Sequence, residues 1–444
     1  MATAAAVVLA ATAARGQLAE AGMERVPEFG GPQDLPGREQ GPRTNEPSEP
    51  STIEVEPDAP RGWFGGARWR EWQRATGDWG GVRTTLEEAG LTIEASYTMD
   101  WSSVWSGGIA RRASTRHLFD MNATLDLDTA LGWTGATLYA DFYAASMRGG
   151  SRDVGDWQWF SNVETDRNGG QLAEAWLEQR LWDDAVRVKV GKVDANMEFG
   201  FVEAAAAVLN ASAAYSPTIA GMTTYPDPSF GAVVFVYPTE RLYVGGGVFD
   251  GATMDGIATG NRGPDTLFDE AAGSWFFIAE GGVTWEAAGP LAGGRAALGV
   301  HHHTAAFARY DDDVEDGASG VYALVEQALW TTGEEDERGV WVFVQAGWAS
   351  AGDVERHCGG GVTWRGPCEQ RPCDVVGLYV TWIDLADEAG TPYAEDETAI
   401  EVYWKIALTG SVSVTPEVQV ILNPGGDASL DDAVVGQVRF EVVF

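Results

Sequence analysis

The last eleven residues constrain the fold of this chain more than any other feature. They read VVGQVRFEVVF from Val434 to Phe444, and one face carries Val, Gly, Val, Phe, Val and Phe, while the other carries Gln437, Arg439 and Glu441. Successive side chains of a β-strand point to opposite sides, so this alternation predicts a strand with one apolar and one polar face. A terminal strand that ends on an aromatic residue is typical of outer-membrane β-barrels, which have lipid outside and water inside.

The same alternation recurs through residues 90–444 and predicts sixteen strands. An even number is usual in single-chain bacterial barrels, and sixteen strands leave an aqueous channel. Long connections at 148–170, 194–228 and 252–273 alternate with short ones. The sequence therefore predicts an all-β, 16-stranded antiparallel transmembrane β-barrel with short periplasmic turns and long extracellular loops. We place the strands at 90–101, 115–131, 134–147, 171–181, 185–193, 229–237, 241–251, 274–286, 294–305, 318–331, 340–350, 357–366, 373–384, 397–409, 411–422 and 434–444.

The composition agrees with a barrel once the strand period is considered. A mean hydropathy of -0.16 is that of an average soluble protein, but only every second residue of a barrel strand needs to face lipid. Beyond the N-terminus there is no apolar stretch long enough for a transmembrane helix. The chain has 66 acidic and 29 basic residues. This excess of negative charge argues against nucleic acid as a partner, since a phosphate backbone requires a cationic surface.

The N-terminal region divides into three segments before the barrel at 90–444. Residues 1–17 are small and apolar and resemble a signal peptide, which indicates export. Residues 18–60 hold eight of the 19 prolines and predict a disordered linker. Residues 61–89 are expected on the periplasmic side, with a short helix at 84–88 that starts with two threonines and continues into acidic residues.

The cysteines, histidines and serines of the sequence do not form a known catalytic or metal-binding motif. Cys368 and Cys373 are spaced to close a small turn with a disulfide, and Cys358 is left over. His301 and His303 would share one face of a strand, but two imidazoles without further ligands make a poor metal site. No GxSxG or HExxH pattern is present. We therefore expect neither an enzyme, nor a metal site, nor a cofactor.

Charged residues of both signs share the polar face of two neighbouring predicted strands, 171–181 and 185–193. One interpretation is a ladder of cross-strand pairs that stiffens the wall. The other is a transverse electric field and a hydrogen-bonding surface for a polar solute. These channel candidates are Glu174, Glu178, Arg180, Arg187 and Lys189.

The long connection 194–228 is the best candidate for a constriction. It contains the apolar run 204–209, which would be poorly placed in water and is expected to pack inward against the barrel wall. The alternative is a loop that covers the barrel mouth or contacts another protomer. In connection 148–170, Trp157 and Trp159 could stack on a pyranose ring, although aromatic residues at the membrane interface explain them equally well. The polar residues of 194–228 expected at the passage are Asp194, Asn196, Glu198, Glu203, Asn210, Tyr215 and Asp227.

Several segments in the same order resemble the carbohydrate-selective outer-membrane porin family (OprB-like). They include TGDWGGVRT at 76–84, EAWLEQ at 174–179, VRVKVGKVDAN at 186–196 and ILNPGG at 421–426. The resemblance covers about residues 72–444. It implies a passive channel for sugars and other small polar solutes, narrowed by inward-folded loops. As in proteins that this chain resembles, Phe444 is expected to carry the signal for the barrel-assembly machinery.

This sequence also departs from the family pattern. The Pro-rich N-terminus, the cysteine turn and acidic loops such as 311–313 and 334–337 are additional. The excess of acidic residues leaves a general or cation-preferring porin as the alternative, and the N-terminal extension leaves an adhesin or structural barrel. We expect outer-membrane lipid around the barrel, and a homo-oligomer is compatible with the sequence.

Overall fold

The computed structural model describes residues 72–165, 167–286, 293–332 and 338–444. The predicted signal peptide at 1–17, the linker at 18–60, the start of segment 61–89 and the acidic run at 334–337 lie outside the described residues. Within these ranges, none of the helices has the length and apolar character needed to span a membrane.

The described residues form a closed barrel of sixteen antiparallel strands, which confirms the predicted fold class. Each strand pairs with its neighbours along the chain, and β1 closes the barrel by pairing with β16. The strands are β1 Leu91–Ser106, β2 Ala113–Asp126, β3 Ala136–Met147, β4 Gly169–Leu181, β5 Val186–Val193, β6 Ser229–Thr239, β7 Leu242–Asp250, β8 Trp275–Trp285, β9 Gly294–Ala308, β10 Val314–Thr331, β11 Gly339–Ala349, β12 Val354–Arg365, β13 Val375–Leu385, β14 Glu397–Ala407, β15 Val412–Leu422 and β16 Ala433–Val443.

Alternation along the strands separates a lipid-facing surface from a polar interior. In β14, Val402 and Trp404 are 53% and 44% exposed, whereas Glu401 and Tyr403 are 1% exposed. The same pattern holds in β16, where Arg439 is fully buried. Apolar side chains outside and charged side chains inside are what a barrel between lipid and water requires.

One predicted strand was too long. Residues 127–131, assigned to the strand 115–131, form the short helix α2 (Leu127–Leu131) instead, because the side chain of Asp126 accepts hydrogen bonds from the N–H groups of Asp128 and Thr129. An aspartate in this position satisfies helix donors that have no partner within the helix. The apolar spacing of the segment fits a strand as well as a helix, so the cap decides its structure.

A helix precedes the first strand at the end of the barrel that carries the turn 182–185. It is α1 (Val82–Glu88), and it begins before the expected first residue Thr84. The N–H group and the hydroxyl of Thr84 both donate to Asp78 Oδ1, at 3.0 and 2.8 Å. The segment is fixed to the barrel by a hydrogen bond of 2.7 Å from Ala75 N–H to the carbonyl of Val443.

Candidate functional site: the loops inside the barrel

Residues 194–228, between β5 and β6, fold into the barrel; we call them loop B. The apolar run 204–209 is buried, as the sequence predicted, and every side chain in it is at most 8% exposed. Val202, Ala204 and Val208 belong to one apolar cluster with Phe235 and Tyr243 of the wall. The loop therefore lies against the inner wall and reduces the free cross-section of the barrel.

Glutamates of the inner wall hold the backbone of loop B. A loop buried inside a barrel has peptide N–H groups that need acceptors, and leaving such groups unpaired is costly. Three glutamates, on β8, β10 and β14, supply these acceptors, so the loop is fastened across the lumen from one side to the other. The bonds run from Gly200 N–H to Glu280 (2.9 Å), from Ala204 N–H to Glu326 (2.7 Å), and from Leu209 N–H and Asn210 N–H to the two oxygens of Glu401 (2.8 Å each).

A buried group of four charges joins loop B to β4 and β5. Arg187 donates to Glu178 at 3.1 Å and to Glu198 at 2.6 Å, and Lys189 also pairs with Glu198. Glu198 is fully buried, so its two cationic partners replace the hydration that its carboxylate loses. Arg180 Nε lies 3.2 Å from Glu178, with a more exposed side chain.

Residues 148–168, between β3 and β4, also reach the interior; we call them loop A, of which residue 166 lies outside the described residues. Arg439 of β16 binds Asp100 of β1 through Nε at 2.8 Å and Nη2 at 2.9 Å, and donates to Asn162 of loop A at 2.7 Å. Arg116 of β2 binds Glu164 of loop A at 3.1 Å. These contacts attach loop A to β1, β2 and β16, next to the closing seam of the barrel, which is the pairing of β1 with β16.

The other predicted site residues lie in or next to these loops. Glu174 accepts hydrogen bonds from Trp176 Nε1 and from Asp194 N–H, each at 3.1 Å. The Asn196 amide donates to two loop carbonyls, and the Asn210 amide donates to Gln419 at 3.0 Å. Asp194, Asn196 and Asn210 are at most 1% exposed. These hydrogen bonds fix the shape of the loop. Trp157 and Trp159 are partly buried and pack against apolar clusters, and Glu203 is partly buried.

Comparison with known protein families shows which family this barrel belongs to. The sequence profile of the carbohydrate-selective porin, OprB family, matches residues 110–444. The chain belongs to this family. The family and the barrel fold make it an outer-membrane porin.

Individual relatives agree with this assignment. Porin B of Pseudomonas aeruginosa is 23% identical over 419 residues, which cover 83% of this chain and 90% of the relative. The high-pH structure of Pseudomonas putida OprB has a TM-score of 0.74 at 20% identity and covers 85% of this chain and 100% of that chain. The low-pH structure of the same protein has a TM-score of 0.57 at 19% identity, with 84% and 99% covered. The likeness to these structures supports the fold.

Sequence reasoning missed the residues that fasten the loops of this OprB-family porin. Arg439 was recognised as a polar-face residue of the last strand, but its partners Asp100 and Asn162 lie far away in sequence. Glu280 and Glu326 were not singled out either. A signal was available: inner-face carboxylates are needed wherever a long apolar loop must bury its backbone. The pairing itself depends on tertiary structure and could not be derived from one sequence.

The histidine and cysteine residues also have defined places. His301 and His303 share the inner face of β9, as expected, and His302 is exposed. No group of three or more metal-ligating side chains occurs among the described residues. Cys368 and Cys373 are not bonded to each other in the structure, and their disulfide stays a prediction. The turn is held by an isolated backbone β-bridge between Cys368 and Arg371 and by the ion pair of Arg371 with Asp374 at 2.6 Å.

Proposed function

We propose that sugars and other small polar solutes diffuse passively through this barrel, and that loops A and B form its narrowest part. The observation that carries the proposal is the attachment of loop B to glutamates on β8, β10 and β14. A loop held at both sides of the lumen sets the size of what can pass. Passive diffusion needs a wet, polar path without a tight binding step.

The charged residues beside loop B are suited to hydroxyl-rich solutes. Glu178 and Glu198 alternate with Arg187 and Lys189 within hydrogen-bonding distance. Cationic side chains donate and carboxylates accept, and a sugar hydroxyl does both. We infer that Glu178, Arg180, Arg187 and Lys189 are closest to the passage. In this proposal Glu174, Asp194, Asn196 and Asn210 set the loop's shape, Glu198 joins the loop to the charged group, and Glu203, Trp157 and Trp159 flank the narrowing.

The test is to release loop B and measure permeation. We expect Glu326→Ala combined with Glu401→Ala to increase single-channel conductance and the rate of liposome swelling with glucose and maltose, because three backbone N–H groups of the loop lose their carboxylate acceptors. The matched control is Glu286→Ala, which removes an exposed glutamate whose side chain is 77% accessible. Unchanged conductance and swelling in the double variant would contradict a constriction made by loop B.

A cation-preferring porin without sugar selectivity is the second candidate, favoured by the excess of 66 acidic over 29 basic residues. Reversal potentials in a potassium chloride gradient, measured with and without glucose, separate the two functions. A decrease in ion current when glucose is added supports the sugar channel, because glucose then occupies the path of the ions. Strong potassium preference without an effect of glucose supports the alternative.

The last strand is also proposed to carry the assembly signal. Phe444 follows β16, and its N–H donates to the Ala95 carbonyl of β1 at 2.8 Å, so the C-terminal residue lies at the closing seam. We infer that the barrel-assembly machinery recognises this strand before closure and that outer-membrane lipid then covers its outer face. Association with further copies is compatible with this arrangement.

A further inference from the structure

One row of the inner wall carries three carboxylates and an amide side by side. The strand register pairs Glu94 of β1 with Asn122 of β2, Asn122 with Asp141 of β3, and Asp141 with Glu174 of β4. We call these four residues the acidic row. Paired residues share one face of a sheet, and strands lie about 4.8 Å apart, so the row spans about 14 Å of the wall.

All four side chains of the acidic row face the barrel interior. Each residue is at most 7% exposed, whereas the neighbouring Met121 and Phe142 are 43% and 37% exposed on the lipid side. The row therefore lies on the inner face of the wall, opposite the lipid-facing side chains.

The acidic row has more hydrogen-bond acceptors than donors, although Glu174 Oε2 already accepts hydrogen bonds from Trp176 Nε1 and from the Asp194 N–H group. An ionised carboxylate only accepts hydrogen bonds, and an asparagine oxygen also accepts. The Oδ1 of Asn122 is buried between Glu94 and Asp141 and has no hydrogen-bond partner among the described residues. The Oγ1 of Thr124, two residues further along the same face of β2, is also buried without a hydrogen-bond partner among the described residues. Buried polar atoms without a partner indicate a place where solvent or a solute supplies the missing donor.

The cations described near the acidic row also have other partners: the ammonium group of Lys192, which interacts with Glu174, donates to the carbonyls of Leu172 and Gly260. Arg74 Nη2 lies 3.5 Å from Glu94, while its Nη1 is engaged by Glu87 at 2.6 Å. Lys189, on the far side of Trp176, pairs with Glu198 and Glu178. The next inner-face position above the row adds another acid, Asp120. A ring or row of carboxylates in a narrow channel favours cations.

We propose that the acidic row is a recognition strip for polyhydroxylated solutes that carry an ammonium group, such as amino sugars. This inference rests on the proposed function, since it requires a sugar-sized passage beside β1–β4. Hydroxyl and ammonium groups both donate to the row, and the ammonium group is also attracted by its charge. Anionic sugars are repelled by the carboxylates of the row. They also lose hydrating water there without gaining hydrogen-bond donors in return.

The experiment uses the full chain, purified and reconstituted in liposomes at about pH 6, where an alkyl ammonium group is charged. Swelling is measured with glucosamine, N-acetylglucosamine, glucose and gluconate, and the rates are expressed relative to glucose. Asp141→Asn keeps size and shape but removes one charge. Asn122→Asp adds a charge to the same row, so it tests the proposal in the opposite direction. Asp184→Asn is the matched control, because Asp184 is exposed in a turn at a positive φ that asparagine also adopts.

We expect the ratio of glucosamine to glucose to fall roughly threefold or more in Asp141→Asn and to rise in Asn122→Asp, with the ratio for N-acetylglucosamine unchanged. The control should match the wild-type chain. If glucose passes but the glucosamine ratio responds to neither row variant, the acidic row is not a recognition strip, and the sugar channel still stands. If the wild-type chain passes no glucose, the sugar channel itself is refuted.

Discussion

At the scale of single residues, Asp156 of loop A is buried without full hydrogen bonding. Its Oδ2 accepts the N–H of Phe160 at 2.8 Å, while Oδ1 has no partner among the described residues. Burial, and then the charges of Glu397 and Glu164, raise the pKa of Asp156 well above its usual range. The folded protein therefore binds this proton more tightly than the unfolded chain does.

This raised pKa gives a prediction with a defined sign. Stability should be greatest below the usual aspartate pKa and should fall as pH rises from there through the raised pKa of Asp156. Asp156→Asn keeps an acceptor for Phe160 N–H and removes the charge. The variant should be more stable than the wild type at neutral pH, by about 1–3 kcal/mol, the usual cost of an unsatisfied buried group.

The measurement is the midpoint of thermal unfolding in detergent between about pH 4 and pH 9. The exposed Asp184→Asn variant serves as the control. Parallel pH profiles for Asp156→Asn and the wild type would contradict the assignment.

The Asp100–Arg439 pair gives a second prediction at this scale. Both side chains are fully buried and share two hydrogen bonds, so removing Arg439 leaves the Asp100 carboxylate with the more distant Arg116, at 3.9 Å. Arg439→Met should lower the free energy of unfolding by about 3–5 kcal/mol. The double variant Asp100→Leu with Arg439→Met should recover part of this loss. Denaturant unfolding of both single variants and the double variant measures the coupling, and additive losses would contradict it.

At the scale of elements, the sequence predicted the strands better than the loops. Alternation is a local property, so β14 and β16 could be read directly from residues such as Trp404 and Arg439. Helix α2 was missed because Leu127 and Leu131 fit either period and only the Asp126 cap distinguishes them. The inward packing of loop B followed from its apolar run, but its contacts with Glu280 and Glu326 depend on strands far away in sequence.

The last strand gives the prediction for this scale. Deleting Phe444 removes the aromatic end of the strand and its hydrogen bond to Ala95. We expect outer-membrane yield to fall at least several-fold while export to the periplasm stays unchanged, as measured by fractionation. Phe444→Tyr, which keeps the ring and the backbone, is the control and should assemble normally. Equal outer-membrane yield for the deletion would show that the signal lies elsewhere.

At the scale of the whole molecule, the formal charge of -37 and the charge of the lumen are different quantities. Residues Asp311, Asp312 and Asp313 contribute to the former in an exposed connection after β9. Ions screen such surface charges within about 8 Å at physiological salt, whereas charges that line a narrow passage are screened much less. We therefore expect ion selectivity to depend on the charges of the inner wall and not on the formal charge of the chain.

Replacing all three of these aspartates by asparagine tests this separation, because asparagine keeps the side-chain acceptors that bond to the N–H groups of Asp313 and Val314. At about 0.15 M salt, the ratio of potassium to chloride permeability should equal that of the wild type; at about 0.01 M, where the screening length approaches 30 Å, it should shift toward chloride. Asp141→Asn, which removes one charge from the inner wall, should shift the ratio at both salt concentrations. Reversal potentials across a planar bilayer measure all three chains. An equal shift at both concentrations in the triple variant would mean that these outer acids act on the passage itself, and the separation between outer and inner charge would then be wrong.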